Sequence, residues 1–246
     1  MAAIINIPQR LQTVNATSAI GAGIRLLPLL LLSPVASTAA GIFVSKLRVP
    51  PLYLLLIGTS LQTIGVGLFS SIDSTDLSIP KAQYGYQIIM GFGFGLNLST
   101  ILMMAPLVVQ QKDMGKWHNF CAHQPLMFIL LAVAIGSVTQ IRVLGGTIGL
   151  AICSALLNNH IKAKTSQFLS GEQVAALLES FRAIENFPKE TQLEVRRVYA
   201  AAYSQQMRVM LYFCLVSLVS LLLLAEKQPR KLTTTVDGEL AAPEVQ

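Results

Sequence analysis

Residues 84–109 read YGYQIIMGFGFGLNLSTILMMAPLVV, and no Asp, Glu, Lys or Arg interrupts them. A helix rises about 1.5 Å per residue, so about twenty such residues cross a hydrocarbon core of roughly 30 Å. The run is too long for a strand. Inside lipid a segment must pair its own backbone amides, which makes this one a helix. The rest of the chain agrees with that solvent: 53% of residues are hydrophobic and 12% charged, with a mean hydropathy of +0.59, whereas a soluble domain carries about 25% charge. Working outward from this run, four further apolar blocks read as spans, Gly23–Val44, Leu52–Ile72, Val133–Leu157 and Met207–Ala225. The expected fold is all-α, a polytopic transmembrane helix bundle of about five spans.

The net charge of +6 and the pI near 9.4 raise nucleic acid as a partner. Binding it would require a basic stripe interleaved with aromatics. Here the positive charges lie between apolar blocks, so the expected partner is the lipid bilayer and not nucleic acid. Lys46 and Arg48 follow the first span, Lys112 and Lys116 the third, and Lys227, Arg230 and Lys231 the fifth, whereas the loop after the second span carries Asp73 and Asp76. Basic short loops stay on the cytoplasmic side. The reading is a multi-pass membrane protein with its amino terminus outside and its carboxyl terminus cytoplasmic, an orientation natural if an odd number of spans preceded Met1. The opening MAAIINIPQRLQTV lacks the basic and apolar regions of a cleaved signal peptide.

The sequence divides into five segments: 1–22 as an external amino-terminal segment, 23–159 with spans one to four, 160–206 as an external amphipathic helical loop, 207–226 with span five, and 227–246 as a polar, disordered cytoplasmic tail. In the loop, Val174, Leu177, Leu178 and Phe181 fall on one helical stripe. It reads either as a lid over a transport mouth or as a helix packed on the bundle or in the headgroup layer.

Chemistry-bearing motifs are few. Cys121, Cys153 and Cys214 are far apart in sequence, and His118, His123 and His160 have no ligand spacing. The GFGFG run sits inside a span rather than between a strand and a helix, so it is no nucleotide loop. The expectation is therefore no enzyme, no metal and no cofactor. Among polar residues within spans, Arg142 stands out, because a charge near the bilayer centre costs at least ~2.5 kcal/mol unless paired or hydrated. It reads either as a cavity group for an anionic substrate or as an arginine snorkelling to the headgroups. Gln140, Gln87, Asn97 and Gln62 are further substrate-cavity candidates, each with an alternative use as an interhelical hydrogen-bond group. Gly91 with Gly95, and Gly145 with Gly149, have the four-residue spacing that lets helix backbones approach. Asn15 begins Asn-Ala-Thr in the external segment and is a glycosylation candidate. No Asp or Glu lies within the five spans, so a proton-carrying carboxylate would have to come from elsewhere.

The stretches GIRLLPLLLLSPVAS (23–37), LLLIGTSLQTIGVGLFSSI (54–72), YGYQIIMGFGFGLNLSTILMMAPLVV (84–109) and QIRVLGGTIGLAICSALLNN (140–159) resemble the last spans of fungal fourteen-span drug and toxin exporters of the major facilitator superfamily. The resemblance covers nearly the whole chain and implies a partial major facilitator fold holding the tenth to fourteenth spans. It further implies export of an amphipathic small molecule, a drug or secondary metabolite, by antiport against a proton gradient in the cell membrane or a vacuolar or vesicle membrane. Two features depart from the family. The signature motifs of its earlier spans have no counterpart here. In addition, GKWHNFCAHQPLMFILL (115–131) interrupts what the family has as one run, and Met-Gly-Lys can be encoded with a splice donor, so the segment reads as a retained intron. Alternating access requires two bundles, and five spans are fewer than one six-span half. The alternative reading is a truncated, transport-inactive membrane protein, or one that associates with a missing half-bundle or a full-length relative.

Overall fold

A computed structural model describes residues 2–72, 78–113 and 124–224. These form seven α-helices and one short 3-10 helix, with no strand among the described residues. They are α1 (Ala2–Thr13), α2 (Ala19–Ser45), α3 (Pro51–Ser70), α4 (Ala82–Asp113), α5 (Gln124–Thr165), α6 (Gly171–Glu179), the 3-10 helix (Phe181–Asn186) and α7 (Lys189–Leu223). Five stretches are long and apolar enough to cross a membrane: α2, α3, Ala82–Met104 of α4, Ala132–Thr165 of α5, and α7. The molecule is a membrane helix bundle.

Local chemistry sets the helix ends. Ser18 caps α2 by accepting a hydrogen bond from the Gly21 amide at 3.1 Å, which satisfies one of the amides a helix start leaves unpaired. The short link to α3 turns through Arg48 at a positive φ of 51°, and Pro51 opens α3 where its missing N–H costs nothing. At α6, Ser170 and Gln173 form a reciprocal capping box.

Helix α4 lies between α2 and α3, α7 packs on α3 and α5, and α1 touches α2, α5 and α7. Helix α1 falls in the segment read from sequence as external, and its Asn6, Ile7, Arg10, Leu11 and Thr13 are all buried. One apolar core gathers Ile7 and Leu11 with Leu26, Leu29, Phe69, Met90, Cys153 and Met207.

At about 1.5 Å per residue, the 42 residues of α5 and the 35 of α7 reach roughly 63 Å and 52 Å. Both exceed a hydrocarbon core of ~30 Å. The end of α5 and the start of α7 meet α6 and the 3-10 helix in a second core of Val14, Ile161, Leu177, Ile184, Val195, Tyr199 and Tyr203. We call this part the cap. The Tyr199 hydroxyl donates to the Leu177 carbonyl at 3.3 Å and ties α7 to α6. The amphipathic stripe is divided: Val174 and Leu177 are buried and Leu178 of the same helix is exposed, as is Phe181, which falls in the 3-10 helix with its different turn. Residues 189–206 of the segment read as an external loop are the start of α7 itself, continuous with the last span.

Several sequence readings fall outside the described residues: the tail 227–246, Asp73 and Asp76, and the first part of the segment 115–131. Residues 124–131 of that segment are helical and open α5.

Candidate functional site

The packing of α4 shapes the middle of the bundle. A Cβ added at Gly91 would come within 2.5 Å of the Leu29 carbonyl oxygen on α2, and one at Gly95 would collide with the Ser33 carbonyl oxygen. Gly58 and Gly93 do the same for the α3–α4 contact, where a Cβ at Gly93 would lie 2.5 Å from the Gly58 carbonyl oxygen. These helices therefore run backbone to backbone, and the Ser37 hydroxyl donates to the Gly95 carbonyl at 3.0 Å across the α2–α4 contact.

On α5 the glycines behave differently. A Cβ at Gly145 or Gly149 would meet nothing within 4 Å. Both glycines line a cavity of about 450 Å³, together with Gly146, Ile148, Ile152 and Cys153 of α5. Its other walls are Ala3 and Ile4 of α1, Leu29 of α2, Gln62 and Val66 of α3, Met90 and Phe94 of α4, and Met210, Phe213 and Cys214 of α7. This volume lies within the roughly 300–1,000 Å³ of small-molecule sites. Six helices converge on one apolar space whose flexible methionines can repack around different shapes.

Gln62 is the uncharged polar side chain on this wall, and it is held from behind. The Asn97 amide joins α4 to α3: in one orientation its Nδ2 donates to Gln62 Oε1 at 3.2 Å. In the turned orientation its nitrogen donates to the Leu55 carbonyl at 3.1 Å, while its oxygen accepts from the Thr59 hydroxyl at 3.2 Å. Asn97 does not line the cavity. Gln87 is fully buried, and neither of its amide atoms has a hydrogen-bond partner. Gln140 is exposed and Arg142 half-buried, both within the turn and a half before Gly145 on α5, and neither lines the cavity. Asn15 is half-buried in the link from α1 to α2, next to Ala16 at a φ of 51°.

Arg10 went unremarked in the sequence, where it sits in a polar stretch too short to read as a span. The structure buries it to 6% exposure on α1. Burial pulls its pKa below the ordinary value, opposed by the nearby Tyr203, although a guanidinium stays charged all the same. Cys153 and Cys214 are free thiols on the cavity wall. No group of His, Cys, Asp and Glu able to hold a metal occurs among the described residues.

Comparisons with known proteins agree with one another. The chain is 64% identical, over 94% of its length, to the major facilitator (MFS)-type transporter FPY5 of Fusarium mangiferae, and spans 36% of that protein. It is 36% identical over 44% of its length to the MFS-type transporter grgE of a Penicillium species, spanning 19% of it. With the MFS thioclapurine efflux transporter tcpA of Claviceps purpurea it shares 23% identity over 96% of its length and 40% of the relative. The chain thus spans about a fifth to two fifths of the length of these relatives. No family model matches it, and no solved structure does.

Proposed function

Because the chain belongs in sequence and helical architecture with the major facilitator superfamily, we propose that it forms part of the path by which an amphipathic small molecule is exported, with the cavity between α1, α2, α3, α4, α5 and α7 as the substrate site. The observation that carries this reading is the cavity itself: about 450 Å³, walled by Met90, Phe94, Met210 and Phe213, with Gln62 as a polar contact. Such a surface binds apolar bodies of varied shape and orients them through few hydrogen bonds. An efflux function is named for the thioclapurine transporter of Claviceps. The cap end, with Asn15, faces outside and the opposite end faces the cytoplasm, in line with Lys46 and Arg48 after α2. Gln140 and Arg142 stand at the edge of the substrate path, and the proton gradient supplies the driving force.

The test is export from cells stripped of their own exporters. The chain alone and the chain extended upstream should each be assayed for resistance to a panel of amphipathic toxins, with and without Gly149→Trp, which fills the cavity. Resistance lost on filling supports the proposal; resistance indifferent to Gly149→Trp removes the cavity from it.

A second reading draws support from the outer surface of α5. Ile129, Val133 and Val143 of this helix share one side away from the cavity and are 45–60% exposed, an apolar face that lipid or further helices would cover. In this reading the chain is transport-inactive alone and acts only beside a full-length relative. Resistance restored by co-expression of that relative, and absent without it, would single this reading out.

A further inference from the structure

Arg10 is the one fully charged side chain that is buried among the described residues. Helix α1 projects Asn6, Arg10 and Thr13 from one face, since residues four and three apart share a side of a helix. Across from them stand Tyr203 and Gln206 of α7 and Cys153 of α5: Asn6 and Gln206 face the Cys153 thiol, and Thr13 and Arg10 face Tyr203. This pocket of polar groups is out of balance. Arg10 Nε is a buried donor with no acceptor, and Asn6 Nδ2 has none beyond the neighbouring Cys153 thiol; on α7, Gln206 Oε1 is the one buried acceptor left unpaired, while Arg196 Nε is a further unpaired donor. Arg10 makes no ion pair with a described carboxylate, and the two acids of α7, Glu190 and Glu194, are exposed at its start. A buried guanidinium next to a second unpaired donor lacks an acceptor-only anionic group, and a carboxylate accepts from such a pair.

The position of the pocket says where the rest of the bound molecule would lie. Cys153 belongs both to this polar cluster and to the wall of the apolar cavity, and Ala3 of α1 lines that cavity one turn before Asn6 on the same helix face. We infer that Arg10, with Asn6, anchors the carboxylate of an amphipathic organic acid whose apolar body occupies the cavity. The inference rests on the cavity being the substrate site and adds the chemical class of the substrate, an organic anion. No bond is made or broken. The acid gives up water and gains the two donors, while its body displaces water from Met90, Met210 and Phe213.

The test uses the whole chain purified in lipid nanodiscs at pH 7, with thermal unfolding read by the loss of helical circular dichroism. 4-Phenylbutyrate should raise the midpoint by several degrees, and its uncharged amide should leave it unchanged. Arg10→Gln should weaken the response to the acid at least tenfold, Arg10→Lys should restore part of it, and Arg197→Gln, at an exposed arginine, should not alter it. If Arg10→Gln does not fold, the acid–amide pair on the unaltered chain and Arg197→Gln decide the matter. Equal shifts with acid and amide overturn the inference. So does the absence of any acid response alongside an Arg10→Gln chain more stable than the parent, which would mark Arg10 as a charge awaiting another polypeptide. A shift with acetate as large as with phenylbutyrate keeps the Arg10 anchor but takes the cavity out of it, so the proposed function fails separately from this assignment.

Discussion

Helices α4 and α5 each carry two glycines four residues apart, and the molecule uses them in opposite ways. On α4, Gly91 and Gly95 press against the α2 backbone at Leu29 and Ser33; on α5, Gly145 and Gly149 face open space along the cavity. The spacing is the same and the neighbours are not. A glycine pair therefore marks a smooth helix face, and only the tertiary structure decides whether that face meets a second backbone or leaves room for a guest.

The largest effect expected from this contrast is at Gly95. Gly95→Leu drives a side chain into Ser33 and Ala36, and the folded protein should be lost from the membrane fraction, as a monodisperse detergent peak would register; Gly149→Leu should keep that peak. A milder change sharpens the comparison. Gly91→Ala should cost about 1–3 kcal/mol through overpacking, whereas Gly145→Ala and Gly149→Ala should stay within about 0.5 kcal/mol, all read from unfolding of the purified chain. Equal costs at the two helices would show that α5 packs more tightly than the open space beside its glycines implies. Third, with Cys121→Ser as background, Gly149→Trp should slow maleimide labelling of Cys153 and Cys214 several-fold while the unfolding midpoint stays close to its parent's. The smallest effect is at the polar link behind Gln62: Asn97→Ala should cost only about 0.6 kcal/mol, the average for interhelical hydrogen bonds in membranes, but should alter substrate preference by freeing the Gln62 amide.

The membrane-helix class was legible because hydropathy over twenty residues is a one-dimensional property, and YGYQIIMGFGFGLNLSTILMMAPLVV has it without reference to any neighbour. Helix α1 was not legible. Its 12 residues include Asn6, Gln9, Arg10 and Gln12, and their burial comes from packing against α2, α5 and α7 rather than from any apolar run. The same holds for the site. Met90, Phe94, Met210 and Phe213 are ordinary span residues in sequence, and they become a wall only once α4 and α7 stand across the cavity from α5. Polarity within a span drew the reading to Arg142, while the more deeply buried arginine lay in a stretch that looked solvated. A periodic hydropathy signal would have found Arg10 only through its neighbours Ile7, Leu11 and Val14, which share its side of the chain.

The retained-intron reading of residues 115–131 is open to a direct check by transcript sequencing across Met114 to Ala132. Reads lacking the segment should predominate, and their absence would make the long α5 a feature of the mature protein.

The unbroken course of α7 has a mechanical consequence. Val195 and Tyr199 anchor it in the cap, Met210 and Cys214 line the cavity, and the same rod continues to Leu223. At about 1.5 Å of rise per residue, the arm from Val195 to Leu223 is about 42 Å, so a tilt of about 10° pivoting there would swing the far end through roughly 7 Å and the cavity wall at Met210 and Cys214 through about 4–5 Å. A pivot in the cap would make α7 a lever whose mid-arm borders the cavity, so that its tilt and the width of the cavity would change together.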